Sequence, residues 1–340
     1  MLNTEPIKKI LIINTKYLGD LVVCTPAVKA IRNTYPAASI SILVREEYKN
    51  VMAGNPNVDE ILSFDFTVKK IRGWKRIKAE LNFVKYLRSK KFDAVVSLQA
   101  GDRYAEWAFL SGAKIRVAPK KQSLSFLLTH KVGVYEDTIS YMDYYLKIAE
   151  AFGAIADNKT TGFYLSNNFK EWASEFNSVN KISGEDILIG IHPGASEPSK
   201  IWPFENFIKL IELLTADGKV KIFLFAGPAE KKMLEKFRNA FEGRLILADT
   251  SNDIQQLAWL ISECKLFIAN DSGARHIAAA LKVKTLTLFP QDKSSCWKFY
   301  SEKEGHYFIL GKRNIADSKN MYLDGIKVET VYNKAQQILS

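Results

Sequence analysis

The sequence predicts an α/β protein built as two doubly wound parallel-sheet domains facing a central cleft. Short apolar runs of strand length alternate with helical patterns along most of the chain, the order that parallel sheets covered by helices on both faces require. This alternation is interrupted once, by a polar stretch at 167–186, and then resumes. A chain of 340 residues is also long for one core, so two domains of ordinary size fit it better.

In the first series, strands are expected at 9–14, 39–44, 61–64, 94–99 and 115–117, closed by a long helix at 139–152. Continuous apolar runs such as Ile10-Leu11-Ile12-Ile13 suit strands covered on both faces. The second series has strands near 187–192, 221–226, 245–247, 266–269 and 285–289, separated by helices such as 204–217 and 229–241. The pause makes the domains 1–170 and 186–325, and a last helix within 326–340 is expected to fold back on the first domain. Sheets of this kind place ligands at the loops after their strands.

Hydrophobic residues make up 47% and charged residues 25%, a globular balance that excludes disordered and fibrous classes. No run of 18 uncharged apolar residues occurs, so no segment is expected to span a membrane. Lys8 and Lys9 precede a short apolar run, but it leads into residues 14–20 with no cleavage pattern, so a cytoplasmic location is expected. Cys24, Cys264 and Cys296 lie far apart and offer neither a disulfide framework nor metal-ligand spacing; they read as reduced packing residues.

The net charge of +11 favours an anionic partner: nucleic acid, a phosphorylated substrate or an acidic membrane face. Residues 69–91 hold ten basic side chains and one acid, Glu80, while Ile71, Trp74, Ile77, Leu81, Val84 and Leu87 recur at three- and four-residue steps. This is an amphipathic basic helix, either a core-facing helix with a solvated outer face or one that contacts phosphates.

Four strand-end loops carry the candidate chemistry. After the first strand, residues 14–22 contain one glycine, and neither G-x-G-x-x-G nor a P-loop pattern occurs in the chain, which weakens dinucleotide oxidoreductase and P-loop readings. Asp20 there is either a helix cap and dipole partner or a carboxylate able to take a proton from an attacking hydroxyl. In residues 192–203 the backbone N–H groups near Gly194 and Ala195, the hydroxyls of Ser196 and Ser199 and the Lys200 ammonium suit a diphosphate, unless the segment is an ordinary surface loop. Glu230, after the next strand, can accept from ribose hydroxyls or stabilise a helix N-terminus. At 269–281, Asp271 or Ser272 can cap a helix whose first N–H groups attract anions; Gly273 permits close approach, and His276 faces the same mouth or is simply a satisfied histidine.

Taken together, these residues resemble glycosyltransferase family 9, the ADP-heptose:lipopolysaccharide heptosyltransferases. The likeness runs through Ile10-Leu11-Ile12-Ile13, Leu18-Gly19-Asp20, Thr25-Pro26-Ala27, Phe92-Asp93, Leu98-Gln99, Asp102-Arg103 and Ser111-Gly112-Ala113. It continues through His192-Pro193-Gly194-Ala195, Lys200-Ile201-Trp202-Pro203 with Phe207, Ala226-Gly227, Glu230, Asn270-Asp271-Ser272-Gly273 and His276-Ile277-Ala278-Ala279-Ala280. Where the family usually continues Phe-Gly-Pro-Thr, this chain has Phe289-Pro290-Gln291-Asp292.

The resemblance implies a GT-B fold, with acceptor bound by the first Rossmann-like domain and nucleotide sugar by the second. It implies inverting, metal-independent transfer of a heptose from ADP-heptose, a co-substrate rather than a cofactor, to a phosphorylated, lipid-linked saccharide of the lipopolysaccharide inner core. The absence of Asp-x-Asp agrees with chemistry that needs no metal. By the same resemblance Asp20 is the general base, and Lys200 with the N–H groups near Ser272 and Gly273 stabilises the leaving diphosphate. Glu230 holds ribose, Asp271 and His276 shape the nucleotide pocket, and His192, Gly194, Ala195, Ser196 and Gly227 complete the donor side. Gly19, Arg72, Lys75, Arg76, Gln99, Asp102 and Arg103 fall on the acceptor side, which suggests peripheral contact with the inner face of the cytoplasmic membrane. Other readings are a transferase using another nucleotide sugar, an idle sugar-nucleotide binder, and a basic nucleic-acid-binding protein, the last leaving the loops unexplained.

Overall fold

A computed structural model describes residues 6–70, 73–136, 138–216, 218–226, 236–237, 241, 245–248, 253–291, 294–297, 299–312 and 322–340. Two compact units divide the chain, Met1–Gly162 and Phe163–Ser340.

In the first unit, strands β1 Lys9–Ile13, β2 Ser39–Arg45, β3 Glu60–Phe64, β4 Ala94–Ser97, β5 Ile115–Pro119 and β6 His130–Val132 form one parallel sheet in the order β3-β2-β1-β4-β5-β6. Ile10 to Ile13 are buried, as a central strand covered on both sides demands. The helices are α1 Leu18–Val23, α2 Thr25–Thr34, α3 Trp74–Ser89, α4 Asp102–Leu110 and α5 Tyr141–Ala151. Pro26 sits in the first turn of α2, where its missing N–H costs nothing, and the Ser140 hydroxyl caps α5 by accepting from the Asp143 N–H. β6, short and largely polar, has no counterpart among the expected strands.

The second unit repeats this plan. Strands β7 Ile187–His192, β8 Val220–Phe225, β9 Ile246–Ala248, β10 Leu266–Asn270, β11 Lys284–Pro290 and β12 His306–Gly311 form a parallel sheet ordered β9-β8-β7-β10-β11-β12. Its helices are α6 Lys170–Val179, α7 Phe204–Thr215, α8 Ile254–Ser262, α9 Gly273–Ala280, the short α10 Ser294–Trp297 and α11 Val328–Leu339. Gly190 is required in β7: a Cβ there would lie 2.6 Å from the Phe267 ring. Most of the helix expected at 229–241 lies outside the described residues.

Two expectations about organisation change. The polar stretch 167–186 belongs to the second unit and contains α6, whose Phe176 ring lies 6.0 Å from that of Phe223. Trp172, Ala173, Phe176 and Val179 of this helix recur at helical spacing, but polar residues on both sides of them made the whole stretch read as a pause. The apolar stripe of α11, expected to cover the first domain, is buried in the second unit's core: Val331, Ala335 and Ile338 join Phe207, Leu210 and Ile211 of α7.

Both sheets reverse strand direction of travel at one place, between β1 and β4 in the first unit and between β7 and β10 in the second. Helices leaving these neighbours go to opposite faces, so a crevice opens beyond the strand C-termini at each switch point. Asp20 follows β1 and Gln99 follows β4; the 192–203 loop follows β7 and Asp271-Ser272-Gly273 follows β10. No described helix is long and apolar enough to cross a membrane. The three cysteines are free, and burial pushes the Cys24 thiol up to about 12, where it is inert.

Candidate functional sites at the two switch points

At the first switch point, the backbone leaves β1 through buried Asn14 and Thr15 and enters α1 at Tyr17. Tyr17, not Asp20, occupies the N-cap position, and no side chain caps this helix. The buried Asp20 carboxylate instead accepts a 2.6 Å hydrogen bond from the Tyr145 hydroxyl of α5. Lys16 Nζ lies 3.9 Å from Asp20 Oδ1 and 2.6 Å from Glu136 Oε1, with its charge 5.0 Å from the centre of the Tyr141 ring. Burial raises the Asp20 carboxyl above its ordinary value, and Lys16 and Tyr145 oppose that rise. A carboxylate so placed is a stronger base than one in water, while staying oriented by a donor.

The other side chains of this end are more occupied than the sequence suggests. Gln99 donates to the Thr15 hydroxyl at 2.8 Å, and that hydroxyl donates to Tyr104 at 2.9 Å, so Gln99 braces the β1 loop. Asp102 accepts from the Leu124 N–H at 2.8 Å. Arg103 pairs with Glu80 of α3 at 3.0 Å and lies 5.5 Å from the Trp107 ring centre. Gly19 is buried in α1, whereas Lys75 and Arg76 are exposed on the first turn of α3. Arg72 lies outside the described residues.

At the second switch point, β7 ends at His192, Gly194 is buried, and Ser196 is exposed in the loop that follows. The turn Pro198–Lys200 then directs Lys200 inward, where Nζ donates to Asp271 Oδ2 at 3.0 Å. Asp271 Oδ1 accepts from Arg275 Nε, also at 3.0 Å, so one buried carboxylate serves two buried cations. Asn270 ties the two strand ends together by donating to the Pro193 carbonyl at 2.6 Å and accepting from the Trp202 N–H at 3.3 Å.

Asp271 therefore does not cap α9. Ser272 holds the N-cap position without using its side chain, and its buried hydroxyl has no hydrogen-bond partner among the described residues. The first N–H groups of α9, this hydroxyl and the Lys200 ammonium, which Glu197 Oε1 also approaches at 3.7 Å, lie at one strand end, an arrangement suited to a diphosphate. His276, expected at the mouth, is buried: its ring stacks on Phe299 at 5.7 Å and its Nδ1 lies 3.2 Å from the Tyr300 hydroxyl. Burial and then Arg275 hold its pKa well below the ordinary histidine value, so it is neutral. Gly227 and Glu230 lie outside the described residues.

The family model for glycosyltransferase family 9 (heptosyltransferase) matches residues 81–320. The chain belongs to this family. Lipopolysaccharide heptosyltransferase 3 of Escherichia coli K12 is 25% identical, over 95% of this chain and 96% of that protein. Two solved structures share the fold. The family 9 glycosyltransferase of Veillonella parvula has a TM-score of 0.84 at 23% identity, covering 98% of this chain and 97% of its own. E. coli ADP-heptose LPS heptosyltransferase II has a TM-score of 0.80 at 20% identity, covering 97% and 98%. The protein is a family 9 glycosyltransferase with the two parallel α/β units of the GT-B fold.

In this transferase the sequence missed Tyr145, Lys16, Glu136 and Arg275. Arg275 was legible in principle, since it stands in the first turn of the helix that follows Asp271, four residues further on. Tyr145 had no such signal, because 125 residues separate it from Asp20.

Proposed function

We propose that the protein is an inverting, metal-independent heptosyltransferase that moves a heptose from ADP-heptose to the inner core of lipopolysaccharide. The observation that carries this reading is the placement of a buried, Tyr145-bound carboxylate and a diphosphate-suited cation cluster at the switch points of its two sheets. The donor and acceptor come from the names of its relatives, an ADP-heptose LPS heptosyltransferase among them. The lack of Asp-x-Asp supports chemistry without a metal.

In this mechanism Asp20 removes the proton from an acceptor hydroxyl, whose oxygen attacks the anomeric carbon of the donor. The bond from that carbon to the diphosphate breaks, and ADP leaves with the bonding electrons. Lys200, the Ser272 hydroxyl and the α9 N–H groups stabilise the charge that develops on it, the contribution that is usually largest in such reactions. His192, Gly194, Ala195, Ser196 and Gly273 line the donor side and Asp271 and His276 support it from behind, while Gly227 and Glu230 are assigned to the nucleoside by the family resemblance alone. Gly19, Arg72, Lys75 and Arg76 meet the acceptor, while Gln99, Asp102 and Arg103 brace the surrounding loops. The enzyme works at the inner face of the cytoplasmic membrane, where a lipid-linked acceptor is presented.

Calorimetric titration with ADP, UDP, GDP and CDP, without added metal, tests the donor assignment. Selective ADP binding that weakens in Lys200→Ala supports it; preference for another nucleotide replaces the sugar donor, and no nucleotide binding overturns the reading.

A further inference from the structure

Helix α3 packs only the C-terminal part of the stripe that its sequence advertises: Val84 and Leu87 meet the core, while Trp74, Ile77 and Leu81 do not. Its inward side is Glu80, Phe83 and Leu87: the Phe83 ring lies 4.6 Å from Phe64 and 4.9 Å from Trp107, Leu87 is buried, and Glu80 reaches Arg103. At 100° per residue, positions 74, 77 and 81 then fall on the outward side. Trp74 is 70% exposed, Ile77 50% and Leu81 49%. Three large apolar side chains on successive turns, turned to water, form a patch of the kind that marks a contact surface.

The same outward side is basic. Lys78, Lys85 and Arg88 on this side, with Lys75 at its margin, are exposed, and none makes an ion pair among the described residues. Glu80, the single acid of α3, is turned inward to Arg103. At the C-terminal end of α3 lies a shallow cavity of about 590 Å³ whose lining includes Lys85, Arg88, Lys91 and Lys114 and one acid, Asp93.

We infer that the outward face of α3 docks the protein on an anionic lipid bilayer, with Trp74, Ile77 and Leu81 entering the interfacial layer and the flanking Lys and Arg side chains meeting headgroup phosphates. This inference names the surface for the membrane contact proposed above and rests on that reading for its occupant. Charge complementarity selects a lipid that is anionic. The apolar ridge selects a bilayer over nucleic acid, since phosphate contacts alone give Ile77 and Leu81 no dry environment. Tryptophan is also a side chain suited to the membrane–water boundary.

Co-sedimentation of the full chain with vesicles of phosphatidylglycerol and phosphatidylcholine, or of phosphatidylcholine alone, tests it. Binding is expected on the anionic vesicles and not on the neutral ones. The triple variant Trp74→Ser/Ile77→Ser/Leu81→Ser is expected to lower partitioning at least about tenfold. Lys78→Gln/Lys85→Gln is expected to weaken binding and its salt dependence together. Thermal unfolding of each variant, unchanged from the parent, verifies that the loss is not of folding. Absence of binding to anionic vesicles, or a triple variant that binds as the parent does, overturns the inference. ADP titration on the same samples separates this failure from failure of the transferase reading, because it does not depend on vesicles.

Discussion

The hydroxyl of Tyr145 donates to the carboxylate of Asp20 at 2.6 Å, joining the middle of α5 to the first turn of α1. This bond favours the ionised carboxylate, whereas burial disfavours it more strongly. Tyr145→Phe therefore moves the Asp20 pKa further up. If Asp20 is the base, activity requires its ionised form, so the acid limb of the kcat–pH profile shifts to higher pH in the variant. An acid limb that stays in place would show that Tyr145 does not set the state of the base.

Asp20→Asn keeps an acceptor for Tyr145 but cannot take a proton. Turnover is expected to fall at least about 100-fold, with ADP affinity retained. The stability effect has the opposite sign. A carboxyl whose folded pKa is raised contributes stability that is present at low pH and lost as pH rises through the folded value. At neutral pH the variant should be as stable as the parent or more so, measured by urea unfolding.

Asp271 stands between two buried cations, and the two partners are not equivalent in what their loss leaves behind. Asp271→Ala takes the shared buried carboxylate from both cations, leaving Lys200 with Glu197 at 3.7 Å and Arg275 with the Trp297 carbonyl, and is expected to cost about 3 kcal/mol. Lys200→Ala leaves Asp271 bonded to Arg275, so it should cost less stability while weakening ADP binding at least about tenfold. Paired unfolding and calorimetry distinguish these effects; equal destabilisation by both variants would contradict the arrangement.

His276 is neutral in the folded chain because burial depresses its pKa. A depressed histidine contributes stability above its unfolded pKa that is lost as pH falls below about 6.5, where the unfolded state gains a proton. His276→Gln should remove roughly 1–2 kcal/mol of the stability difference between about pH 7.5 and pH 5. Urea unfolding at both values measures it, and an unchanged difference would place the acid sensitivity elsewhere.

Much of the fold was legible along the chain. β1, β7 and β10 are buried apolar runs with few polar interruptions, so their type and approximate limits follow from the residues themselves. β6 was not, since three residues with two polar side chains become a strand only when β5 offers a partner. α3 was legible as a helix but not in its orientation: of the expected stripe only Val84 and Leu87 reach the core, and Phe83, outside that stripe, packs beside them against Phe64 and Trp107.

The candidate site divides in the same way. Asp20, Lys200, Asp271 and Ser272 stand out in sequence because each follows a buried strand, and a parallel sheet delivers the ends of its central strands to one side. What those side chains do was decided by contacts across long separations: Asp20 meets Tyr145, Lys200 meets Asp271, and neither carboxylate is the helix cap that local spacing allows. By itself the sequence determined the alternation of strands and helices, the two-part architecture and the loops that carry the chemistry, because apolar periodicity and turn residues act locally. Only the tertiary structure decided the partner of each buried charge and the outward face of α3, because burial and pairing energies depend on residues that the chain separates and the fold brings together.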